Sequence, residues 1–229
     1  MLNVTNLTVA YGQSEVIHGI SFKAKQKETL AIMGRNGMGK STLFKALIGV
    51  LAARAGRVEV GDSDVSGKPS YQRVVDGLAY VPQGRMIFPN MTVEENIATG
   101  LETRKNKVIP SDIYALFPVL FDMRRRKGGN LSGGQQQQLA IARALVSEPK
   151  VLLLDEPTEG IQPSIIKDIA KVLNEIKKMR NLTIVVSEQV LSFALDVADR
   201  ILVIEKGNLI HEENRANVDA AKISSYLAV

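Results

Sequence analysis

The sequence predicts an α/β fold: a mostly parallel sheet core interrupted by an α-helical lobe. Three observations predict it. Residues 2–83 read as strands around one helix, with a glycine-rich stretch between the third strand and that helix. Residues 84–146 read as helices alone. From residue 147 the strands become all-apolar, as in buried parallel sheets, and alternate with amphipathic helices.

Each element has a local reason. Residues 2–9 are rich in Val, Leu and Thr and alternate imperfectly, which reads as a strand. Tyr11-Gly12 marks a turn, and residues 16–22 a second strand. Residues 29–33 form a short buried strand, residues 41–48 a helix, and residues 56–60 and 78–81 further strands. Thr92 and Glu95 stand at capping-box spacing and open a helix that runs to about Gly100. A polar loop at 105–110 leads to a helix over 113–121, a basic glycine-containing loop over 124–130, and a helix over 135–146. Residues 151–154 are a buried strand. Ile165, Ile169, Val172, Leu173 and Ile176 then fall at helical spacing behind Pro163, a good early-helix residue. Strands at 182–186 and 201–204 flank a helix at 190–198, and a last helix spans 218–227.

The 229 residues suit one large domain, divided into a core of residues 1–83 and 147–229 and a helical lobe of residues 84–146. No cysteine is present, which excludes disulfides and thiolate zinc sites. Two histidines, His18 and His211, lie far apart and exclude a histidine-rich metal centre. No apolar run approaches the roughly 18 residues that span a bilayer. The first eleven residues lack the charged and apolar regions of a signal peptide. A net charge of +5 permits nucleic acid or anionic lipid as a partner and argues for neither.

Three segments carry chemistry. Gly34-Arg35-Asn36-Gly37-Met38-Gly39-Lys40-Ser41 fits the spacing G-x-x-x-x-G-K-[ST] between a strand and a helix. The glycines let backbone N–H groups curl around phosphate oxygens, and the helix from Ser41 turns its positive end toward them. Lys40 can reach the β and γ phosphates, and the Ser41 hydroxyl can ligate Mg²⁺. The strand at 151–154 ends in Asp155 and Glu156. Beside a phosphate loop, Asp155 is expected to hold Mg²⁺ through water and Glu156 to orient an attacking water as general base. Ser132-Gly133-Gly134-Gln135 precedes a helix. Ser132 and Gln135 have capping-box spacing, but a cap does not need two glycines, so a second phosphate site completed by another molecule is expected there.

The phosphate loop, the Leu-Ser-Gly-Gly-Gln signature at 131–135 and the Leu-Leu-Leu-Asp-Glu-Pro segment at 152–157, in that order, resemble the ATP-binding subunit of an ABC transporter. The resemblance covers essentially the whole chain. It implies a P-loop, RecA-like core with an N-terminal antiparallel β part, and ATP held between the phosphate loop of one chain and the signature of a second in a head-to-tail dimer. The positions it marks are Tyr11 to stack on adenine, Gly34 to Thr42 on the phosphates, and Gln83 to link Mg²⁺ and the attacking water to the membrane partner. It also marks Ser132 to Gln135, Asp155, Glu156, and Gln189 at the place of a switch histidine. Two departures stand out: Glu159-Gly160-Ile161-Gln162 replaces the usual Ser-Ala-Leu-Asp, and Gln189 replaces histidine, so it can donate a hydrogen bond but carry no charge.

Both departures resemble the branched-chain amino acid branch of importers, as does the run Pro82-Gln83-Gly84-Arg85-Met86-Ile87-Phe88-Pro89. Residues 155–169 look like the urea-transport ATPase of that branch. The implied function is ATP hydrolysis driving uptake of urea, with branched-chain amino acids as the alternative cargo. The implied partners are two permease subunits, a second and different ATP-binding chain, and indirectly a solute-binding protein. The implied location is the cytoplasmic face of the plasma membrane, with no nucleic acid involved. A soluble ABC ATPase of DNA repair or translation is the first rival, and the 48 positions from Gln83 to Leu131 leave no room for its long coiled coil. A small-molecule kinase is the second, and the signature argues against it. Met86, Ile87 and Phe88 are poor choices for a solvated loop; some are expected to dock the permease, with Phe88 the most buried.

Overall fold

The computed structural model describes residues 1–228. β1 (Leu2–Tyr11) and β2 (Ser14–Ala24) form an antiparallel hairpin that β4 (Ala55–Val60) and the short β5 (Ser63–Asp64) extend, in the order β2-β1-β4-β5. The second sheet contains β3 (Thr29–Met33), β6 (Leu78–Val81), β7 (Val151–Asp155), β8 (Thr183–Glu188), β9 (Arg200–Glu205) and β10 (Asn208–Asn214). Its order is β10-β9-β3-β8-β7-β6, parallel except where β10 folds back on β9. The parallel core and the antiparallel N-terminal part are both as expected.

Alternation along the strands divides the core into two layers. Leu30, Ile32, Val151, Leu153, Leu202 and Ile204 turn to the side of α1 (Lys40–Ile48), which lies between the two sheets. Ala31, Met33, Leu152, Leu154, Ile184 and Val186 turn to the other face. There they meet α6 (Gly133–Leu145), α7 (Pro163–Arg180) and α8 (Leu191–Val197). Both faces of these strands are covered, which is why they read as unbroken apolar runs.

Residues 84–146 contain no strand. They carry α3 (Val93–Thr99), α4 (Ser111–Leu116), α5 (Pro118–Asp122), a 3-10 turn at Gly128–Asn130, and α6. Both capping boxes form, Thr92 with Glu95 and Ser132 with Gln135. The expected single helix over 113–121 is two, broken at Phe117. Pro118 disfavours helical backbone in the residue before it, and Phe117 takes φ −129° and ψ 70°. The C-terminal α9 (Ala220–Leu227) follows β10.

The sequence reading misses β5, β10 and α2 (Ser70–Val75). α2 positions Arg73, which is 3% exposed and forms no ion pair among the described residues. Its guanidinium donates to the carbonyls of Ala46 and Leu47 at 2.9 and 2.8 Å, the open C-terminal end of α1. It also donates to Ser66 and Lys68 at 2.7 and 2.8 Å. A cation at the negative end of a helix is favourable, and here it fixes the far end of α1. Arg73→Ala should therefore lower stability by about 3 kcal/mol, because buried carbonyls lose charged donors, and a urea melt would read this as a lower midpoint at unchanged slope.

Candidate active site

The site sits at the carboxyl ends of β3, β6, β7 and β8, where open α/β sheets place their ligands. Strand register brings it together: Met33 stands opposite Glu188, Asp155 opposite Ser187, and Val81 opposite Leu154. The loop after β3 therefore meets the acids after β7 and Gln83 after β6. A cavity of about 300 Å³ opens there, lined by Val16, Asn36, Gly37, Gly39, Lys40, Ser41, Thr42, Gln83 and Glu156.

The phosphate-loop backbone needs its glycines. Gly37 and Gly39 take φ 79° and 102°, and Gly39 starts α1. A Cβ on Gly34 would stand 2.6 Å from the Ile204 carbonyl oxygen, so only glycine fits where the loop leaves β3. Lys40 folds back under the loop. It is 3% exposed, and its ammonium donates to the carbonyls of Gly34 and Arg35 at 2.6 and 2.9 Å. Its third partner is the Glu156 carboxylate at 2.9 Å, itself 6% exposed. Three donors and three acceptors satisfy the buried charge.

Asp155 is held by three hydroxyls: Ser187 Oγ at 2.6 Å, Tyr80 OH at 3.1 Å and Ser41 Oγ at 3.2 Å. Burial pushes its pKa up; the three hydrogen bonds pull it down, and neighbouring Glu156 pushes it up again. Tyr80 is held well above the usual phenol range by burial and then by the Asp155 charge. Glu156 has φ 46°, a left-handed conformation that costs a non-glycine residue about 1–3 kcal/mol. Its N–H donates to the Ser187 carbonyl and hydroxyl oxygens, both at 3.1 Å, which fixes the turn. Gln83 Nε2 lies 3.5 Å from the same carboxylate.

The Ser41 hydroxyl and one Asp155 carboxylate oxygen lie side by side, offering two hard oxygens at the cavity floor. Mg²⁺ takes few protein ligands and completes its shell with waters and phosphates, so this sparse donor set fits it. Among the described residues no cluster of three or more acidic or histidine side chains could hold a metal by itself.

Other expected residues lie elsewhere. Tyr11 is half-exposed at the end of β1 and does not line the cavity; Val16 does. The Arg35 side chain turns to the Ala228 carbonyl, and Met38 packs into the core beneath the loop, so both reach the site through backbone alone. Gln189 is exposed, and its N–H donates to Glu188. Ser132 and Gln135 are far enough from the phosphate loop to line a separate cavity. The second signature glycine has a packing reason: a Cβ on Gly134 would stand 2.6 Å from Ile165 of α7.

Two residues escaped the sequence reading. Tyr80 alternates as a core strand residue and shows no polar pattern. Glu188 is 1% exposed and, among the described residues, pairs with no cation; it accepts from Thr158 N–H and hydroxyl and from the N–H groups of Gln189 and Val190. Burial raises its pKa against those four hydrogen bonds.

Asp155 offers a sign-determined test. Its folded pKa lies above its ordinary 3.8, so the stability it contributes is complete below that pH and is lost as pH rises through the folded value. At neutral pH the buried charge is a cost. Asp155→Asn can keep the two serine hydrogen bonds on its oxygen and donate to Tyr80. Without ligand it should melt about 2–4 °C higher than the parent at neutral pH, with the gap closing near pH 4, in differential scanning calorimetry.

Comparison with known proteins agrees with this geometry. The ABC transporter family model matches residues 17–159, from β2 through the turn after Glu156. The "High-affinity branched-chain amino acid transport ATP-binding protein BraG" of Pseudomonas aeruginosa is 37% identical over 219 residues, 94% of each chain. The "Probable branched-chain amino acid transport ATP-binding protein LivF" of Archaeoglobus fulgidus is 33% identical, covering 91% of this chain and 90% of its own. A solved ATP-binding cassette of an ABC transporter superposes with TM-score 0.85 at 28% identity, over 100% of this chain and 99% of its own. With a glycine-built phosphate loop, a buried lysine and two acids at the strand ends, this chain belongs to the ABC transporter family, as one of its ATP-binding ATPases.

Proposed function

We propose that this chain hydrolyses Mg²⁺-bound ATP in the cavity above α1 and thereby powers solute import through two permease subunits at the cytoplasmic face of the plasma membrane. The observation that carries this reading is the convergence of Lys40, Ser41, Gln83 and Glu156 on one cavity, with Asp155 beneath it. The N–H groups of the loop and the start of α1 take the phosphates. Lys40 exchanges the Glu156 carboxylate for β and γ phosphate oxygens. Glu156, so released, orients the attacking water and accepts its proton. Ser41 and Asp155 would hold Mg²⁺, which offsets charge on the phosphate oxygens. Gln83 reports the occupancy to the helical lobe, and Gln189 donates its amide to the γ-phosphate. Tyr11 stacks on adenine after the hairpin end moves toward the cavity.

Ser132, Gly133, Gly134 and Gln135 stand apart from this chain's own phosphate loop. They serve ATP bound by a second, different ATP-binding chain in a head-to-tail pair. The similarity to the BraG and LivF proteins supports branched-chain amino acids as the cargo in preference to urea. Urea remains the second reading, favoured by the resemblance of residues 155–169 to a urea-transport ATPase. A solute-binding protein would deliver either cargo. No described helix is long and apolar enough to cross a membrane, so the passage itself falls to the permeases.

The permease surface is an apolar groove of about 580 Å³ between the sheet edge and the lobe, with Tyr71, Val74, Met86 and Phe88 in its walls. Ile87, not Phe88, is the residue of the loop that packs on the core; Phe88 is half-exposed and lies against Arg143, whose guanidinium is 5.4 Å from the ring centroid. The expectation that Phe88 is the most buried of the three is therefore corrected: Ile87 is the one that turns inward.

Two experiments test this reading. In a strain lacking the gene, uptake of labelled leucine should fall and return with the wild-type chain but not with Glu156→Gln, whose turnover should drop about 10²–10⁴-fold with ATP binding kept. A loss confined to labelled urea would select the second cargo, and wild-type turnover in the variant would remove Glu156 as base. Met86, 69% exposed, tests the groove: Met86→Asp should abolish uptake while leaving the melting temperature and ATP binding of the isolated chain unchanged.

A further inference from the structure

A cavity of about 450 Å³ lies at the seam between the helical lobe and α7, and the mechanism above uses only its edge. That volume is within the range of small-ligand pockets. Its apolar walls come from both sides: Leu116, Phe117 and Val119 from the break between α4 and α5, and Ile165 and Val172 from α7.

Two polar features are left over. Gln138 of α6 lines the cavity and is 8% exposed, yet among the described residues its side-chain oxygen has no hydrogen-bond partner. An unpartnered buried acceptor costs about 1–3 kcal/mol, so a donor belongs there. Asp168, Lys171 and Glu175 line the same cavity from one face of α7, and among the described residues none of them forms an ion pair. At about 1.5 Å rise per residue, Lys171 stands roughly 4.5 Å along the helix from Asp168 and 6 Å from Glu175. Carboxylate, ammonium and carboxylate thus follow one another along this wall, so the cavity presents charges of both signs.

We infer that this seam cavity binds a zwitterionic α-amino acid with an aliphatic side chain. Its ammonium donates to Gln138 Oε1 and to Asp168 or Glu175. Its carboxylate meets Lys171, and its side chain lies between Phe117 and Ile165. Such a ligand bridges lobe and core. By holding the seam in the arrangement it binds, it opposes any movement of the lobe that nucleotide requires, and so lowers turnover. The inhibitory part rests on the link from Gln83 to the helical lobe proposed above; the binding does not.

Binding is tested on the isolated full chain and turnover on that chain paired with its partner ATP-binding chain, with L-leucine as the probe in both. Calorimetry should show saturable binding with a dissociation constant on the order of 1 mM. Leucinol, which lacks the carboxylate, and N-acetyl-leucine, which lacks the ammonium, should each bind at least about tenfold more weakly. Lys171→Glu changes an exposed side chain and should weaken L-leucine about tenfold while leaving basal ATPase activity as it was. Gln138→Leu should weaken it as well without lowering the melting temperature. Saturating L-leucine should reduce kcat for ATP several-fold, and this effect should be absent in Lys171→Glu. No saturable heat, or equal affinity in Lys171→Glu, would overturn the site. Binding that leaves kcat unchanged would overturn its regulatory role, and neither result bears on the uptake assay for cargo.

Discussion

The buried Lys40 ammonium organises this molecule. Taking a cation out of water is expensive, and the cost is met only because Gly34, Arg35 and Glu156 supply three acceptors around it. Those acceptors come from the loop after β3 and the turn after β7. One charge thus ties the loops on either side of β8 to the start of α1. The rest of the site follows from keeping these parts in register. Ser187 pins the Glu156 turn and Asp155, Glu188 pins the turn beyond it through Thr158, and Arg73 holds α1 from behind.

Glu156 has two incompatible partners. It pairs with Lys40, and the base role proposed for it needs it free of Lys40. In the proposed mechanism nucleotide resolves the conflict, because phosphate oxygens replace the carboxylate on the ammonium. The carboxylate balances the lysine's charge, and in that mechanism one ligand both takes over the ammonium and releases the base. The left-handed backbone of Glu156 sets it in the cavity wall.

Much of this was legible in the residues. The parallel strands announced themselves as apolar runs because both faces are covered, and both capping boxes formed where their spacing put them. The phosphate loop, Asp155 and Glu156 were readable because the chemistry demands those types at those distances from a strand end. What stayed hidden depends on long-range contacts. Tyr80 looks like any strand aromatic until register sets it beside Asp155. Arg73 looks solvated until α2 lays it on α1. Gly134 suggested a ligand site, and its nearest reason is the side chain of Ile165, from another part of the chain. Phe117 broke a helix that periodicity had joined, since the following proline acts on backbone and not on pattern.

The loop after Gln83 holds a further consequence. Gly84, Arg85 and Met86 are consecutive left-handed residues, with φ of 76°, 69° and 45°. For the two non-glycine residues that is uphill by about 1–3 kcal/mol each. The loop is kept there by Arg143, which donates to both their carbonyls, and by the Arg85 guanidinium on the Glu159 carbonyl. Its restraints come from α6 on one side and from the turn beside Glu156 on the other, so the strained conformation that presents Met86 depends on contacts from both.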